Sequence, residues 1–84
     1  MKYKVRVRKN VTKKLRKLPK SYVSKIYSTL KGLAENPRPN NSKKLQGNTE
    51  TYRLRVGVYR VIYTIDDIIK IVDVKKLMHR QEGY

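Results

Sequence analysis

Residues 52–63 have the sequence Tyr-Arg-Leu-Arg-Val-Gly-Val-Tyr-Arg-Val-Ile-Tyr, and this stretch decides the fold. Apolar and basic side chains alternate on both sides of Gly57-Val58, with the period of two that is typical of strands with one buried face. Glycine supplies the positive φ that the first position of a type II′ turn requires. The sequence therefore predicts two antiparallel strands joined by a two-residue turn at Gly57-Val58.

This turn fixes which residues of the two strands face each other. The predicted pairs are Val56 with Tyr59, Arg55 with Arg60, Leu54 with Val61, Arg53 with Ile62, and Tyr52 with Tyr63. Apolar residues then meet apolar residues on the inner face, so the register is self-consistent. Arg53, Arg55 and Arg60 share the outer face. Directly opposed like charges destabilise a sheet by up to ~1 kcal/mol, whereas guanidinium groups bind phosphate in bidentate fashion. The outer face is a candidate phosphate site, with a solvated basic face as the alternative.

The N-terminal half adds a strand and two helices. Residues 3–8 alternate strictly between apolar and basic side chains, which predicts a half-buried strand. Apolar residues then recur with a 3.6-residue period, interrupted by Pro19, which predicts a short helix near 11–17 and a longer one near 20–35. Residues 36–43 contain two prolines and three asparagines and predict a surface loop.

The C-terminal half adds a third strand of the meander. Residues 44–50 are irregular, Asp66-Asp67 is predicted to form a turn, and the β-branched run 68–74 is predicted to be a strand. Residues 75–84 have no clear period and are expected to form a short helix or a loop. The expected architecture is therefore α+β in the order β-α-α-β-β-β, with a helical hairpin packed on an antiparallel sheet in a single domain, residues 1–84.

Composition narrows the classes of function. The 84 residues include 22 Lys and Arg against 6 Asp and Glu, a net charge of +16. So large an excess implies a polyanionic partner: nucleic acid, an acidic membrane surface or an acidic protein. With no cysteine and one histidine, the chain has no disulfide, zinc-thiolate site or His-rich metal site, and the carboxylates show no metal-binding spacing. No membrane-length apolar run or signal peptide is present, so a cytoplasmic protein is expected.

The C-terminal stretch carries further candidates for chemistry. His79 is the one side chain that ordinarily titrates near neutral pH, although a lone histidine is more often a surface residue. Tyr84 is the last residue, where an aromatic ring most often packs or frays. Beside an arginine cluster, its phenol is also suited to stacking on a base or exchanging a proton.

The predicted order of strands and helices, together with three pieces of sequence, resembles the RelE/ParE superfamily of small toxins of type II toxin–antitoxin systems. The pieces are Lys44-Leu45-Gln46-Gly47, residues 52–63, and His79-Arg80-Gln81-Glu82-Gly83-Tyr84. The likeness covers essentially the whole chain, and the His-Arg…Tyr ending resembles the RelE-like branch.

The resemblance implies a toxin that inhibits translation as a ribosome-dependent, metal-independent endoribonuclease (an mRNA interferase) without a cofactor. Such enzymes cleave mRNA in the ribosomal A site by attack of a 2′-hydroxyl on the adjacent phosphate. On this chain the implied catalytic residues are Arg53, Arg55, Arg60, His79, Arg80 and Tyr84, and the implied RNA-binding residues are Lys43, Lys44, Lys75 and Lys76. Arginine stays protonated, with a pKa above ~12, so proton transfer falls to Tyr84, His79 or the ribosome.

The resemblance also implies partners. These are the ribosomal small subunit with its mRNA, and a RelB-like antitoxin, acidic or amphipathic, for which the helical hairpin at 11–35 is the expected contact. Two alternatives remain. One is a ParE-type toxin that poisons DNA gyrase. The other is a non-catalytic RNA-binding module, which typically exposes strand aromatics for base stacking, whereas Tyr52, Tyr59 and Tyr63 are predicted to point into the core.

Overall fold

A five-stranded sheet with two helices forms the domain. The computed structural model describes residues 2–45 and 50–81. The elements are β1 (Lys4–Val7), α1 (Lys9–Leu15), α2 (Lys20–Gly32), β2 (Ser42–Lys44), β3 (Thr51–Val56), β4 (Tyr59–Asp66) and β5 (Ile71–His79). The strand order in the sheet is β1-β5-β4-β3-β2. The predicted α+β class, with an N-terminal strand, a helical hairpin and a β3–β4–β5 meander, is confirmed.

The two helices are separated at Pro19, as predicted. Pro19 is the N-cap of α2, with φ of −58° and ψ of 147°. Both helices are shorter at their C-terminal ends than predicted, since α1 ends at Leu15 and α2 at Gly32. Val11 and Leu15 of α1 and Ile26 and Leu30 of α2 are buried, so the apolar stripe of each helix packs on the sheet. Within the described residues, no helix is long and apolar enough to cross a bilayer.

Strand β5 differs most from the prediction, at both of its ends. Ile68 and Ile69 belong to the turn, with 92% and 62% of their surfaces exposed, because Asp66 Oδ1 accepts hydrogen bonds from both of their amides. At the other end, 75–79 continue the strand instead of forming a helix or loop. Ile62 pairs with Lys76 and Tyr63 with Val74, so Lys75 is an extra, bulged residue that interrupts the period of two.

The two edge strands also depart from the expected sheet. β2 lies where a loop was predicted and pairs antiparallel with β3, with Lys43 opposite Arg53. Its three residues are too few to show a period in sequence. β1 pairs with β5 in parallel, with Val5 opposite Val72, so the sheet is mixed rather than wholly antiparallel. The paired strands β4 and β5 lie inside the sheet, and β1 and β2 are its two edge strands.

The sheet has one covered face and one open face. The core joins both helices to Leu54, Val61, Tyr63, Val72 and Val74 from one side of the sheet. Burial raises the pKa of Tyr63, whose hydroxyl donates a 2.7 Å hydrogen bond to the Pro37 carbonyl. We call the other side, where neither helix packs, the open face; it carries the residues that alternate with the core positions. Ile62 and Met78 are buried there, only 7% and 8% exposed, and the flanking side chains are long and basic, with stems that can cover apolar surface.

Arg38 joins three segments at the end of the sheet that includes the β4–β5 turn. Its guanidinium donates hydrogen bonds to Asp67 Oδ2 at 2.7 Å, Glu50 Oε1 at 2.8 Å and the Tyr52 hydroxyl at 2.9 Å. The Tyr3 hydroxyl donates to Asp67 Oδ1 at 2.6 Å. The hydrogen bonds to Asp67 and Tyr52 raise the pKa of Arg38 above its usual range. The hydrogen bonds from Arg38 and Tyr3 lower the pKa of Asp67 to about 2. The sequence had suggested no role for Arg38 and only a turn role for Asp67.

Asp67→Asn is expected to flatten the dependence of stability on pH in acid. The folded-state pKa of Asp67 lies below its ordinary value of 3.8, so its contribution is complete above that pH and is lost as the pH falls toward 2. Urea unfolding of the wild type and the variant, repeated at several pH values across this window, measures the difference. In an Arg38→Leu background the same substitution should have a smaller effect, because only the Tyr3 hydrogen bond to Asp67 remains. Equal acid sensitivity of Asp67→Asn and the wild type would contradict the assignment.

Candidate active site

The turn between β3 and β4 has the predicted geometry. Gly57 has a φ of +60°, and Lys70 is the one described non-glycine residue with a positive φ, so Val58 has a negative one. A positive then a negative φ is the pattern of a type II′ turn. All five predicted cross-strand pairs are present, with Arg55 opposite Arg60 and Arg53 opposite Ile62. The predicted register is confirmed, and the three hairpin arginines share the open face.

A small cleft lies beside this turn and is lined by basic side chains. Arg55, Arg60 and Arg80 line it together with Gly57 and Tyr59, and its volume is about 200 Å³. We call it the arginine cleft. The Arg80 amide donates a 2.7 Å hydrogen bond to the Val58 carbonyl, which ties the segment after β5 to the turn. Guanidinium groups from three separate stretches of chain therefore converge at one end of the sheet.

Arg53 and two of the predicted lysines form a row next to this cleft. Arg53 is paired with Lys43 on one side and with Ile62 on the other, and Ile62 is paired with Lys76. Directly paired residues project from the same face of a sheet. Lys43, Arg53 and Lys76 thus extend the basic surface across the open face, but none of them lines the arginine cleft.

The other predicted site residues lie elsewhere. His79 is paired with Tyr59, and their ring centroids are 5.4 Å apart; Val56, the partner of Tyr59 across the hairpin, is in the core. The structure therefore places His79 on the covered face and Arg80, one residue later, in the cleft. Lys44 lies opposite Tyr52, 3.9 Å from Glu50, and Lys75 occupies the bulge. Tyr84 lies outside the described residues.

Among the described residues, three acidic side chains lie at the end of the sheet opposite the arginine cleft: Glu50, Asp66 and Asp67. Asp66 is the last residue of β4, an eight-residue strand, and Asp67 follows it, about 23 Å from the turn at ~3.3 Å per residue. Glu50 and Asp67 are paired with Arg38, and Asp73 forms a 3.3 Å ion pair with Arg8. In the part of the chain that the structure describes, the cleft is lined by three arginines, one glycine and one tyrosine, which suits it to a polyanionic ligand.

This arrangement favours chemistry on phosphate. Fixed guanidinium groups that meet around one small volume stabilise the charge that builds on phosphate oxygens in a transition state. Because arginine does not deprotonate at neutral pH, these side chains do not serve as the base. In the described ranges, no group of three or more His, Asp or Glu side chains is placed to hold a metal ion. The position of Arg80 beside the hairpin arginines depends on how far β5 extends, and the sequence alone did not show that β5 continues to His79.

Gly57→Ala is expected to destabilise the protein by at least about 1 kcal/mol, because an L side chain is strained at positive φ. The position is also close to Tyr22, whose ring lies 3.5 Å from where the new Cβ would sit. Gly32→Ala is the matched control: nothing lies within 4 Å of its Cβ position in α2, so it should gain up to about 1 kcal/mol. Chemical denaturation of both variants measures the two shifts. A Gly57→Ala variant as stable as the wild type would contradict the turn geometry.

Comparison with known proteins identifies the family. Residues 5–84 match the family described as ParE toxin of type II toxin-antitoxin system, parDE. A Methanocaldococcus jannaschii protein named RelE1, a candidate toxin, is 36% identical over 89 residues, covering 100% of this chain and 97% of that protein. The RelE of the archaeal RelE–RelB complex from Pyrococcus horikoshii superposes with a TM-score of 0.89 at 33% identity, covering 99% and 100% of the two chains.

A bacterial structure agrees with these matches. A chain of the Mycobacterium tuberculosis toxin–antitoxin complex RelBE2 superposes with a TM-score of 0.81 at 28% identity, covering 95% of this chain and 100% of that one. The two archaeal relatives and this bacterial one are matched over nearly their whole lengths, so the likeness includes both the hairpin and the strand that leads to Arg80. The family match and the 36% identical relative show that this chain belongs to the RelE/ParE superfamily of toxins of type II toxin–antitoxin systems.

Proposed function

We propose that the protein is a ribosome-dependent, metal-independent endoribonuclease that cleaves mRNA in the ribosomal A site and so inhibits translation in the cytoplasm. The observation that carries the proposal is the arginine cleft, where Arg55, Arg60 and Arg80 converge. A volume of about 200 Å³ lined by three guanidinium groups matches a single phosphodiester group with its flanking sugar atoms better than a large ligand. The names of the relatives support a RelE-type activity.

The proposed reaction is an in-line displacement at phosphorus. The 2′-hydroxyl oxygen forms a bond to the adjacent phosphorus as the bond to the 5′-oxygen of the next nucleotide breaks. The products are a 2′,3′-cyclic phosphate, open to hydrolysis to a 3′-phosphate, and a 5′-hydroxyl. Negative charge accumulates on the non-bridging and leaving oxygens, where charge-assisted hydrogen bonds from Arg55, Arg60 and Arg80 stabilise it. Arg53, Lys43 and Lys76 attract and hold the neighbouring phosphates of the strand.

Two protons move in this reaction. One leaves the 2′-hydroxyl and one reaches the 5′-oxygen, and an acid and a base placed close to those atoms accelerate the transfers. The arginines do not provide the base, and His79 projects from the covered face beside Tyr59. We assign proton transfer to Tyr84 or to a ribosomal group. Dependence on the ribosome fits a cleft that supplies charge stabilisation while the ribosome presents and orients the RNA.

Arg60→Ala and Arg80→Ala are each expected to lower the rate of A-site cleavage by about 10²–10³-fold, because each removes a fixed cation from the transition state. Purified toxin is added to ribosomes translating a defined mRNA, and primer-extension toeprinting measures the new 5′ ends. Lys25→Ala is the matched control, since it removes one positive charge from an exposed position on α2 away from the cleft. Circular dichroism confirms that each variant is folded. Wild-type cleavage by folded Arg60→Ala would contradict the arginine mechanism.

We also propose that an acidic or amphipathic RelB-like antitoxin binds the groove between α1 and α2. The solved complexes of Pyrococcus horikoshii and Mycobacterium tuberculosis relatives contain antitoxins. The groove has a volume of about 410 Å³ and an apolar floor with a basic rim; its lining residues are Thr12, Leu15, Arg16, Leu18, Lys20, Val23 and Tyr27. Tyr27 is 41% exposed, so a partner that covers it buries apolar surface while its acidic groups meet Arg16 and Lys20.

The double variant Arg16→Glu, Lys20→Glu is expected to weaken antitoxin binding by at least about 10-fold, because it turns attraction at the rim into repulsion. Lys25→Glu, on α2 outside the groove lining, is the charge-reversal control. Calorimetry with a purified RelB-like antitoxin measures the affinities, and toeprinting measures cleavage, which should persist in both variants. Equal losses of affinity in the rim variant and the control would show that only net charge matters and would refute the groove as the contact.

A ParE-type action is the second candidate, and the match to the parDE family model is the observation that favours it. The same fold would then present its surface to DNA gyrase and cut no RNA. The toeprinting experiment separates the two functions. No A-site cuts, together with gyrase-linked DNA breaks on addition of the toxin, would establish the ParE-type function and overturn the nuclease proposal.

A further inference from the structure

Three aromatic rings from three elements meet directly behind the arginine cleft. Tyr22 from the first turn of α2 and Tyr59 from β4 have ring centroids 5.3 Å apart and planes inclined by 76°. Tyr59 and His79 from β5 have centroids 5.4 Å apart and planes inclined by 85°. Both contacts are edge-to-face, an arrangement that aromatic quadrupoles favour. We call the three side chains the aromatic stack.

The aromatic stack is joined to Arg80 through His79. Arg80 follows His79 directly in the sequence, so packing that fixes His79 also restricts where Arg80 can lie. The Gln81 amide donates a 3.2 Å hydrogen bond to His79 Nδ1, and the Arg80 amide donates to the Val58 carbonyl. These two hydrogen bonds tie residues 79–81 to the His79 ring on one side and to the β3–β4 turn on the other.

The aromatic stack also contacts the turn that bears the other two arginines. The Tyr22 ring lies 3.5 Å from the Cβ position of Gly57, and Tyr59 itself lines the cleft. Arg55 and Arg60 are held by their cross-strand pairing, whereas Arg80 lies just beyond the last residue of β5. The aromatic stack therefore contacts both the turn and the segment that carries Arg80. The position of Arg80 depends on the stack more than the positions of Arg55 and Arg60 do.

We propose that the stack of Tyr22, Tyr59 and His79 positions the Arg80 guanidinium against Arg55 and Arg60, and that His79 is a positioning residue that transfers no proton. The proposal rests on the nuclease function proposed above, to which it assigns a role for three residues. His79 lies on the covered face, with one edge against Tyr59 and Nδ1 bonded to the Gln81 amide. Both features describe a ring used for its shape and orientation.

Paired substitutions separate positioning from proton transfer. His79→Phe keeps an aromatic ring against Tyr59 and removes every titratable atom, along with the acceptor of the 3.2 Å Gln81 hydrogen bond. Because packing against Tyr59 is retained and one such hydrogen bond contributes little net energy, we expect kcat within about 3-fold of the wild type. A general acid would lose about 10²–10⁴-fold on the same change. His79→Ala removes the ring, and we expect kcat to fall by about 10-fold or more, because small displacements of a catalytic group are costly. Tyr59→Phe and Tyr59→Leu form a second pair with the same expected ranking.

A second readout is independent of cleavage. Calorimetry at low salt measures the affinity of each variant for a fully 2′-O-methylated RNA trinucleotide, which occupies the cleft but has no attacking hydroxyl. We expect weaker binding for His79→Ala and Tyr59→Leu than for their phenylalanine counterparts. If the wild type cuts no mRNA but this ranking of affinities holds, the nuclease proposal fails and the stack proposal stands.

The stack proposal fails alone under two results. If the wild type cleaves and the two ring-deleting variants, folded by circular dichroism, retain its rate and RNA affinity, the stack positions nothing. If His79→Phe loses activity as severely as His79→Ala, then His79 acts through its nitrogen atoms and not through its packing. Should Tyr59→Leu fail to fold, the two His79 variants at the strand end decide the question.

Discussion

The two-residue turn at Gly57-Val58 is the constraint on which the rest of the structure depends. It fixes the register of β3 and β4, and with it the face from which every side chain of the hairpin projects. A shift of one residue would exchange the faces, placing guanidinium groups against the helices and exposing Leu54 and Val61 to solvent. The core burial of those two residues, both fully inaccessible, thus enforces the same register that sets Arg55 opposite Arg60. The alternation of apolar and basic residues around the turn therefore sets both the packing of the core and the positions of the arginines.

The pairing of Arg55 with Arg60 runs against the ordinary preference of sheets. Like charges directly across two strands are unfavourable, whereas Arg38, at the opposite end of the sheet, is hydrogen bonded to the acidic side chains of Glu50 and Asp67. Local violations of stabilising rules are concentrated at functional sites in many proteins. Here the Arg55–Arg60 pair lies beside the arginine cleft, where a bound phosphate would relieve the repulsion, and a second like-charge pair, Lys43 with Arg53, adjoins it on the same face. If the proposed cleft binds phosphate, the bound group would also stabilise the folded protein.

The sequence was sufficient for the features that depend on local periodicity and much less so for those that depend on distant pairing. The hairpin register, the break at Pro19 and the shared face of Arg53, Arg55 and Arg60 could all be predicted, because a period of two or 3.6 marks them. The strand β2 could not, since three residues carry no period and their pairing with β3 is decided by tertiary contact. Arg38 was missed for a related reason: its hydrogen-bond partners lie 12 to 29 residues away in sequence.

The bulge at Lys75 explains why the tail was the hardest part of the site to predict. Without it, strict alternation from Val74 would send Lys76 into the core and Leu77 onto the open face. The extra residue reverses this order, so that Leu77 packs in the core and Met78 pairs with Arg60. Continued alternation then gives His79 to the covered face and Arg80 to the arginine cleft. Lys75, the single inserted residue, lies 15 positions after Arg60 in the sequence. Its insertion determines that Arg80, a permanent cation, completes the cluster, and that His79 does not. In the proposed reaction, a site of three arginines stabilises charge at any physiological pH, and it leaves the movement of protons to groups brought in from outside the cleft.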